Sequence, residues 1–141
     1  MIGSLILMVM VSLAGGSTPP PKGYMVIVNE GNPMQDASAS QISALFLRRQ
    51  QVWTDGRPVV PVDQVAKSPV RQAFSVDIHG RPVQAVQAFW RQKVFAGESV
   101  PPAELSSDGE VVEYVRTHAD AIGYVAIGSS VGTGVHAVAV R

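Results

Sequence analysis

A chain of 141 residues, 46% of them hydrophobic, can build one domain with a real core and has little room for a second. Eleven Lys and Arg against eleven Asp and Glu give a formal net charge of zero, which excludes the broad positive field of non-specific nucleic-acid binding. The absence of cysteine excludes a disulfide framework, a thiolate metal site, a cysteine nucleophile and a lipidated cysteine, and leaves export open.

Ile2 to Ala14 is an almost wholly apolar run followed by Gly15, Gly16, Ser17, Thr18 and three prolines. It is shorter than the roughly 20 apolar residues that span a bilayer, and its length and following small residues are those of an export signal. Residues 1–16 are therefore expected to be a signal peptide, against a buried helix or membrane anchor, and the mature protein to be periplasmic or secreted. Residues 17–23 form a proline-stiffened spacer, and one domain is expected over 24–141.

Tyr24 to Val28 reads as a strand covered on both faces. Ser38 and Gln41 form a capping box for a helix whose Ile42, Leu45 and Phe46 share one face and which finishes at Arg48 and Arg49. Thr54-Asp55-Gly56 is a turn. Val59 to Val62 is a strand that Pro58 and Pro61 assign to a sheet edge or an interruption. Ser68 as N-cap and Pro69 at the first helical position open a helix with Val70, Phe74 and Ile78 on its apolar side, stopped by Gly80. Pro82 opens another, with Val83, Val86, Phe89, Trp90 and Val94 as its apolar face and its end at Gly97. Ser107 and Glu110 form a second capping box ahead of Val111, Val112 and Val115. Ala121 to Ile127 and Val135 to Val140 are strands joined by a Gly/Ser hairpin connection. This alternation predicts an α/β fold with a small central sheet flanked by helices.

Gly128-Ser129-Ser130-Val131-Gly132 matches the spacing of a nucleophile elbow, but a strand rather than a helix follows it, and no Asp or Glu lies beyond Asp120 to complete a triad with His136. The chain is read as non-enzymatic. His79, His118 and His136 lack metal-ligand spacing, so neither metal nor cofactor is expected; His118 suits a helix C-terminus, and Trp53 and Trp90 are assigned to the core. The segment from Val62 to Arg71 leads a strand through a short loop into a helix start, where unpaired N–H groups and the helix dipole can hold an anion. Arg71 in the first turn is unfavourable beside that dipole unless something negative lies near. Physics alone leaves two readings: an anion site, or an ordinary capped helix with Arg71 in solvent or paired with Asp63.

Several phrases together resemble the substrate-binding protein of phosphate ABC importers, a periplasmic binding protein of two α/β lobes. They are Val26-Ile27-Val28-Asn29 with Asn32-Pro33; Leu45-Phe46-Leu47 with Trp53 and Asp55-Gly56; Val60-Pro61-Val62 before the Ser68 helix; and Ala121-Ile122-Gly123-Tyr124-Val125. The resemblance implies one lobe rather than two, since about 125 residues follow the signal. It also implies a ligand site for phosphate or another oxyanion at Gln64, Ser68 and Val70, to which the helix start itself adds Arg71 as a candidate. Ser68 matches the family's helix-opening serine. Pro69 and Val70 stand where glycine and threonine are typical, and Gln64 stands where arginine is typical, so a backbone donor, a hydroxyl and a charge are missing. The expected function is an exported solute-binding-like domain with at most weak oxyanion binding. The alternative is an interaction module that has kept the fold, lost the ligand, and binds a membrane or envelope protein partner.

Overall fold

The computed structural model describes residues 22–141; the expected signal and most of the spacer lie outside the described residues. In chain order the elements are β1 (Tyr24–Asn29), β2 (Asp36–Ala37), α1 (Ala39–Phe46), β3 (Val60–Gln64) and α2 (Pro69–Phe74), which runs directly into a π-helical turn (Ser75–His79). They continue with α3 (Val83–Phe95), β4 (Ala103–Leu105), α4 (Asp108–Thr117), β5 (Ala121–Ala126) and β6 (Val135–Val140). The fold is mixed α/β, with one six-stranded sheet in the order β2-β6-β1-β5-β3-β4. β1 is antiparallel to both of its neighbours, and every other pairing is parallel.

The apolar run of β1 is explained by its place. It lies between β5 and β6, with Tyr24, Val26 and Val28 turned to α1, α2 and the π-helical turn and Ile27 turned to α4. The two short strands β2 and β4, absent from the sequence reading, close the two edges. Two and three residues long, they carry no periodic signal and form only because a neighbouring strand presents free backbone groups.

Three helix starts follow the expected chemistry in different degrees. Ser38 and Gln41 make both bonds of the capping box. Ser107 accepts from Glu110 N–H, while the Glu110 carboxylate reaches back one residue further, to Ser106 N–H at 2.7 Å. Ser68 has the extended backbone of an N-cap and Pro69 in the first turn, yet its hydroxyl makes no capping bond.

The structure corrects four expectations. β3 is not an edge strand: β5 flanks it on one side and β4 on the other. Val60 N–H donates toward β5, so Pro61 points its nitrogen toward β4, whose ladder begins only at Val62; no bond is lost to proline there. The first helix ends at Phe46, because Arg48 turns into the left-handed region at φ 56°. Val94 lies outside the buried face of α3, which is made by Val83, Val86 and Trp90. The Gly/Ser segment is not a hairpin connection, since β1 occupies the slot between β5 and β6; residues 127–134 instead return along β1 from Tyr24, opposite Ala126, to Asn29, opposite Val135.

Candidate functional site

Successive residues of a strand face opposite sides of the sheet, and the end of β3 uses this to divide its polar groups. Val62 packs under α4, so Asp63 projects to the α2 side and Gln64 to the α4 side. Both α2 and α4 begin at this end of the sheet, on opposite faces: Val70 and Phe74 pack into one core cluster, Val111 and Val115 into the other. The carboxyl ends of the parallel pair β3 and β5 therefore meet two helix N-termini, the kind of crevice in which open α/β sheets bind ligands.

Gln64 joins the two helix starts. Its side-chain oxygen accepts from the Ser68 hydroxyl at 3.1 Å, and its amide nitrogen donates to Asp108 Oδ1 at 2.8 Å and to the Tyr124 carbonyl at 3.0 Å. Asp108, the first residue of α4, also accepts from Ala126 N–H at 3.2 Å through Oδ1 and from the Ser129 hydroxyl at 3.4 Å through Oδ2. Three donors of different origin thus converge on one carboxylate at a helix N-terminus, an arrangement that favours an anion.

On the other face Arg71 is 4% exposed, and its guanidinium is held by internal partners. Nη1 donates to the Gln64 carbonyl at 2.8 Å and to Glu104 Oε1 at 2.7 Å, and Nε lies 3.6 Å from Asp63 Oδ1. Asp63 also accepts from the Tyr124 hydroxyl. Burial pushes the Asp63 carboxyl above its ordinary range, outweighing the charge of Arg71 and the hydroxyl of Tyr124. Burial, then the Asp63 charge and hydrogen bond, raise the Tyr124 phenol. Burial opposes the charge on Arg71, but Asp63 and Glu104 together hold it more firmly protonated than usual.

Of the four residues singled out by sequence, Gln64, Ser68 and Arg71 are within one hydrogen-bonded cluster. Val70, on α2, is packed into the core, because its spacing from Phe74 places it on the buried side of that helix. Of the two physical readings of Arg71, the pairing with Asp63 is present, with Glu104 as a second partner. Sequence reasoning missed Asp108, Tyr124 and Glu104. Asp108 was within reach of it, since an acidic residue just after the N-cap serine is a helix-start signal. Glu104 lies on β4, which had no pattern to announce it.

The other candidates separate in space. The glycines of the elbow-like segment, Gly128 and Gly132, have positive φ, and β6 follows where a nucleophile elbow needs a helix. His79 bonds Ser43 at 2.8 Å, His118 ends α4 stacked on Tyr114, and His136 reaches the Asn32 carbonyl at 2.7 Å. Trp53 and Trp90 are both buried. Between α3 and β4 runs a groove of about 490 Å³, floored by Asp63 and Arg71 and walled by Trp90, Phe95 and Pro101.

No family model and no curated protein matches the chain. Among solved structures it is similar to an ABC-type phosphate transport receptor from Vibrio cholerae, with a TM-score of 0.65 and 20% identity over 84% of this chain and 46% of that one. It is similar also to a phosphate ABC transporter substrate-binding protein with bound phosphate from Clostridium perfringens (TM-score 0.64, 22% identity, 84% and 44% covered). PstS from Borrelia burgdorferi gives a TM-score of 0.60 at 14% identity, with 84% and 47% covered. The chain shares its fold with these structures and spans less than half the length of each.

Proposed function

We propose that residues 24–141 form a single-lobe, exported, non-enzymatic solute-binding-like domain whose crevice at Gln64, Ser68, Val70 and Arg71 holds at most a weak oxyanion. The observation that carries this reading is the position of the Asp108 carboxylate. The Gln64 amide, the Ala126 N–H and the Ser129 hydroxyl are the donors an incoming anion would need, and all three are bonded to it. Arg71, the buried cation nearby among the described residues, is likewise held by two carboxylates and a carbonyl. An external phosphate must displace an internal anion that is already tethered, which an untethered ligand does only at high concentration. Val70 contributes through packing, by holding the helix start against the core.

Phosphorus NMR line broadening or calorimetry with inorganic phosphate tests the reading on the wild type and on Asp108→Asn, which removes the internal charge while keeping the shape. Binding weaker than millimolar in the wild type and a gain in the variant are expected. Micromolar binding by the wild type overturns the occupied-site argument. No gain in a folded variant means that the three donors do not face solvent.

A second reading, the interaction module, is favoured by a separate observation: Phe95 stands almost fully exposed at the end of α3, near Arg91, Arg48 and Arg49, which have no ion-pair partner among the described residues.

A further inference from the structure

Val83, Val86 and Trp90 bury one side of α3, but its last turn breaks that pattern. Phe95 is 96% exposed, Val94 50%, and Val100, beyond the turn at Gly97, 63%. Around them stand Arg91, one helical turn before Phe95, and Arg48 and Arg49 beyond the end of α1. None of these three arginines has an ion-pair partner among the described residues, whereas Lys93 is paired with Glu98. The patch is continuous. Arg48 Nε donates to the Val100 carbonyl at 2.9 Å, and Val94 borders both the groove containing Arg91 and Phe95 and a shallower one containing Arg48 and Val100.

We propose that this end of α3 docks on a bilayer surface rich in anionic lipid. This rests on the interaction-module reading and uses none of the residues around Asp108, so vesicle and phosphate experiments fail independently. Among the described residues no helix is long and apolar enough to cross a membrane, so the contact is peripheral. The chemistry of the patch fits the headgroup boundary: an aromatic ring and two valines at a protruding helix end enter the acyl margin, while long-stemmed arginines reach lipid phosphates. Charge orients the approach. Three arginines without an ion-pair partner among the described residues border the C-terminal half of α3, and α4 on the opposite side of the sheet carries Asp108, Glu110 and Glu113 in a chain of zero net charge. A flat acidic protein surface would neutralise the arginines but leave Phe95 with no apolar volume to enter.

The cysteine-free sequence permits a direct test on the full chain. Phe95→Cys and, as a control on α4, Glu113→Cys each carry an environment-sensitive fluorophore, and are titrated with phosphatidylcholine vesicles with and without phosphatidylglycerol. A blue shift at position 95 that requires phosphatidylglycerol, is lost in high salt and is absent at position 113 is expected. Arg91→Glu changes two charges and should weaken the response about 25-fold, each charge near an anionic surface being worth about fivefold; Arg91→Gln, a milder change at an exposed site, should weaken it about fivefold. Equal shifts on both vesicle types, or no shift at position 95 when the chain sediments with vesicles, overturn the proposal. So does an equal shift with soluble polyglutamate, which would make the partner an acidic polypeptide.

Discussion

Between the sheet and α4 the buried apolar cluster is aliphatic: Ile27, Val62, Val111, Val115, Ala121, Val125 and Val135. Across the sheet, α1, α2 and the π-helical turn cover a core built on aromatic rings, with Phe74 stacked on Tyr124 at 3.8 Å and packed edge-on to Tyr24 and Phe46. That second face also buries Asp63, Arg71 and Ser75, each hydrogen-bonded. The first face is specified mainly by shape, with buried Gln64 bonded to Asp108 at the rim where α4 begins, and the second by shape together with a network of charged and polar partners. Shape tolerates no added volume, whereas a polar network tolerates no missing partner.

The sharpest break in this comparison is Gly123, on the aliphatic face of β5. A Cβ there would meet Val111 Cγ1 at 2.6 Å and Val62 Cγ2 at 3.0 Å. Gly123→Val should cost about 4 kcal/mol or prevent folding, far beyond a surface change. Gly123→Ala should cost less and be partly rescued by Val111→Ala, measured as a double-mutant cycle in urea. An unchanged melting curve for Gly123→Val would end the shape argument.

Next in size is the loss of a partner on the polar face. Arg71→Met should destabilise by about 3 kcal/mol, because Asp63 is left buried without its cation. Arg91→Met, at the exposed end of α3, should change stability by no more than about 0.5 kcal/mol. Similar losses in both variants would show that the network is not what holds α2 to β3.

Acid should separate the faces as well. Burial, then the charges of Arg71, Arg81 and Arg49, depress the His79 imidazole from 6.5 to about 4. Between those values the unfolded chain binds the proton and the native one does not, so stability falls as the pH drops from 6.5 toward 4. At pH 4.5 the expected loss from this group is about 2 kcal/mol. His79→Gln should flatten that part of the urea midpoint against pH; a slope identical to wild type would remove His79 as its source.

The smallest effect sharpens the contrast between helix starts. Ser38→Ala removes one of two reciprocal capping bonds and should cost about 1 kcal/mol. Ser68→Ala removes no cap but leaves the buried Gln64 oxygen without its donor, so its cost should fall in the double variant with Gln64→Leu. A cost of Ser68→Ala that is independent of residue 64 would mean that the serine stabilises the helix start directly.

The four longer strands, the four α-helices, two of three serine caps and nearly every core position were legible in the chain. Those features rest on local chemistry: a period of apolar residues, a side chain that reaches its own backbone, a proline that fits the first helical turn. The candidate site was legible only in part. Gln64, Ser68 and Arg71 lie within eight residues of one another and could be read as a unit, but their partners Asp108, Glu104 and Tyr124 are 33 to 60 residues away in sequence. Whether Arg71 faces a ligand or two carboxylates depends on which strand joins β3, and β4 is too short to show any period of its own. The slot that β1 takes between β5 and β6 was decided in the same way, by strand pairing across the whole chain rather than by the turn residues between them. Sequence by itself determined where chain segments become helix or strand and which of their sides are apolar, because those preferences act over a few residues. Only the tertiary structure decided which polar groups are spent on one another and which stay free, because that depends on neighbours brought together by the sheet.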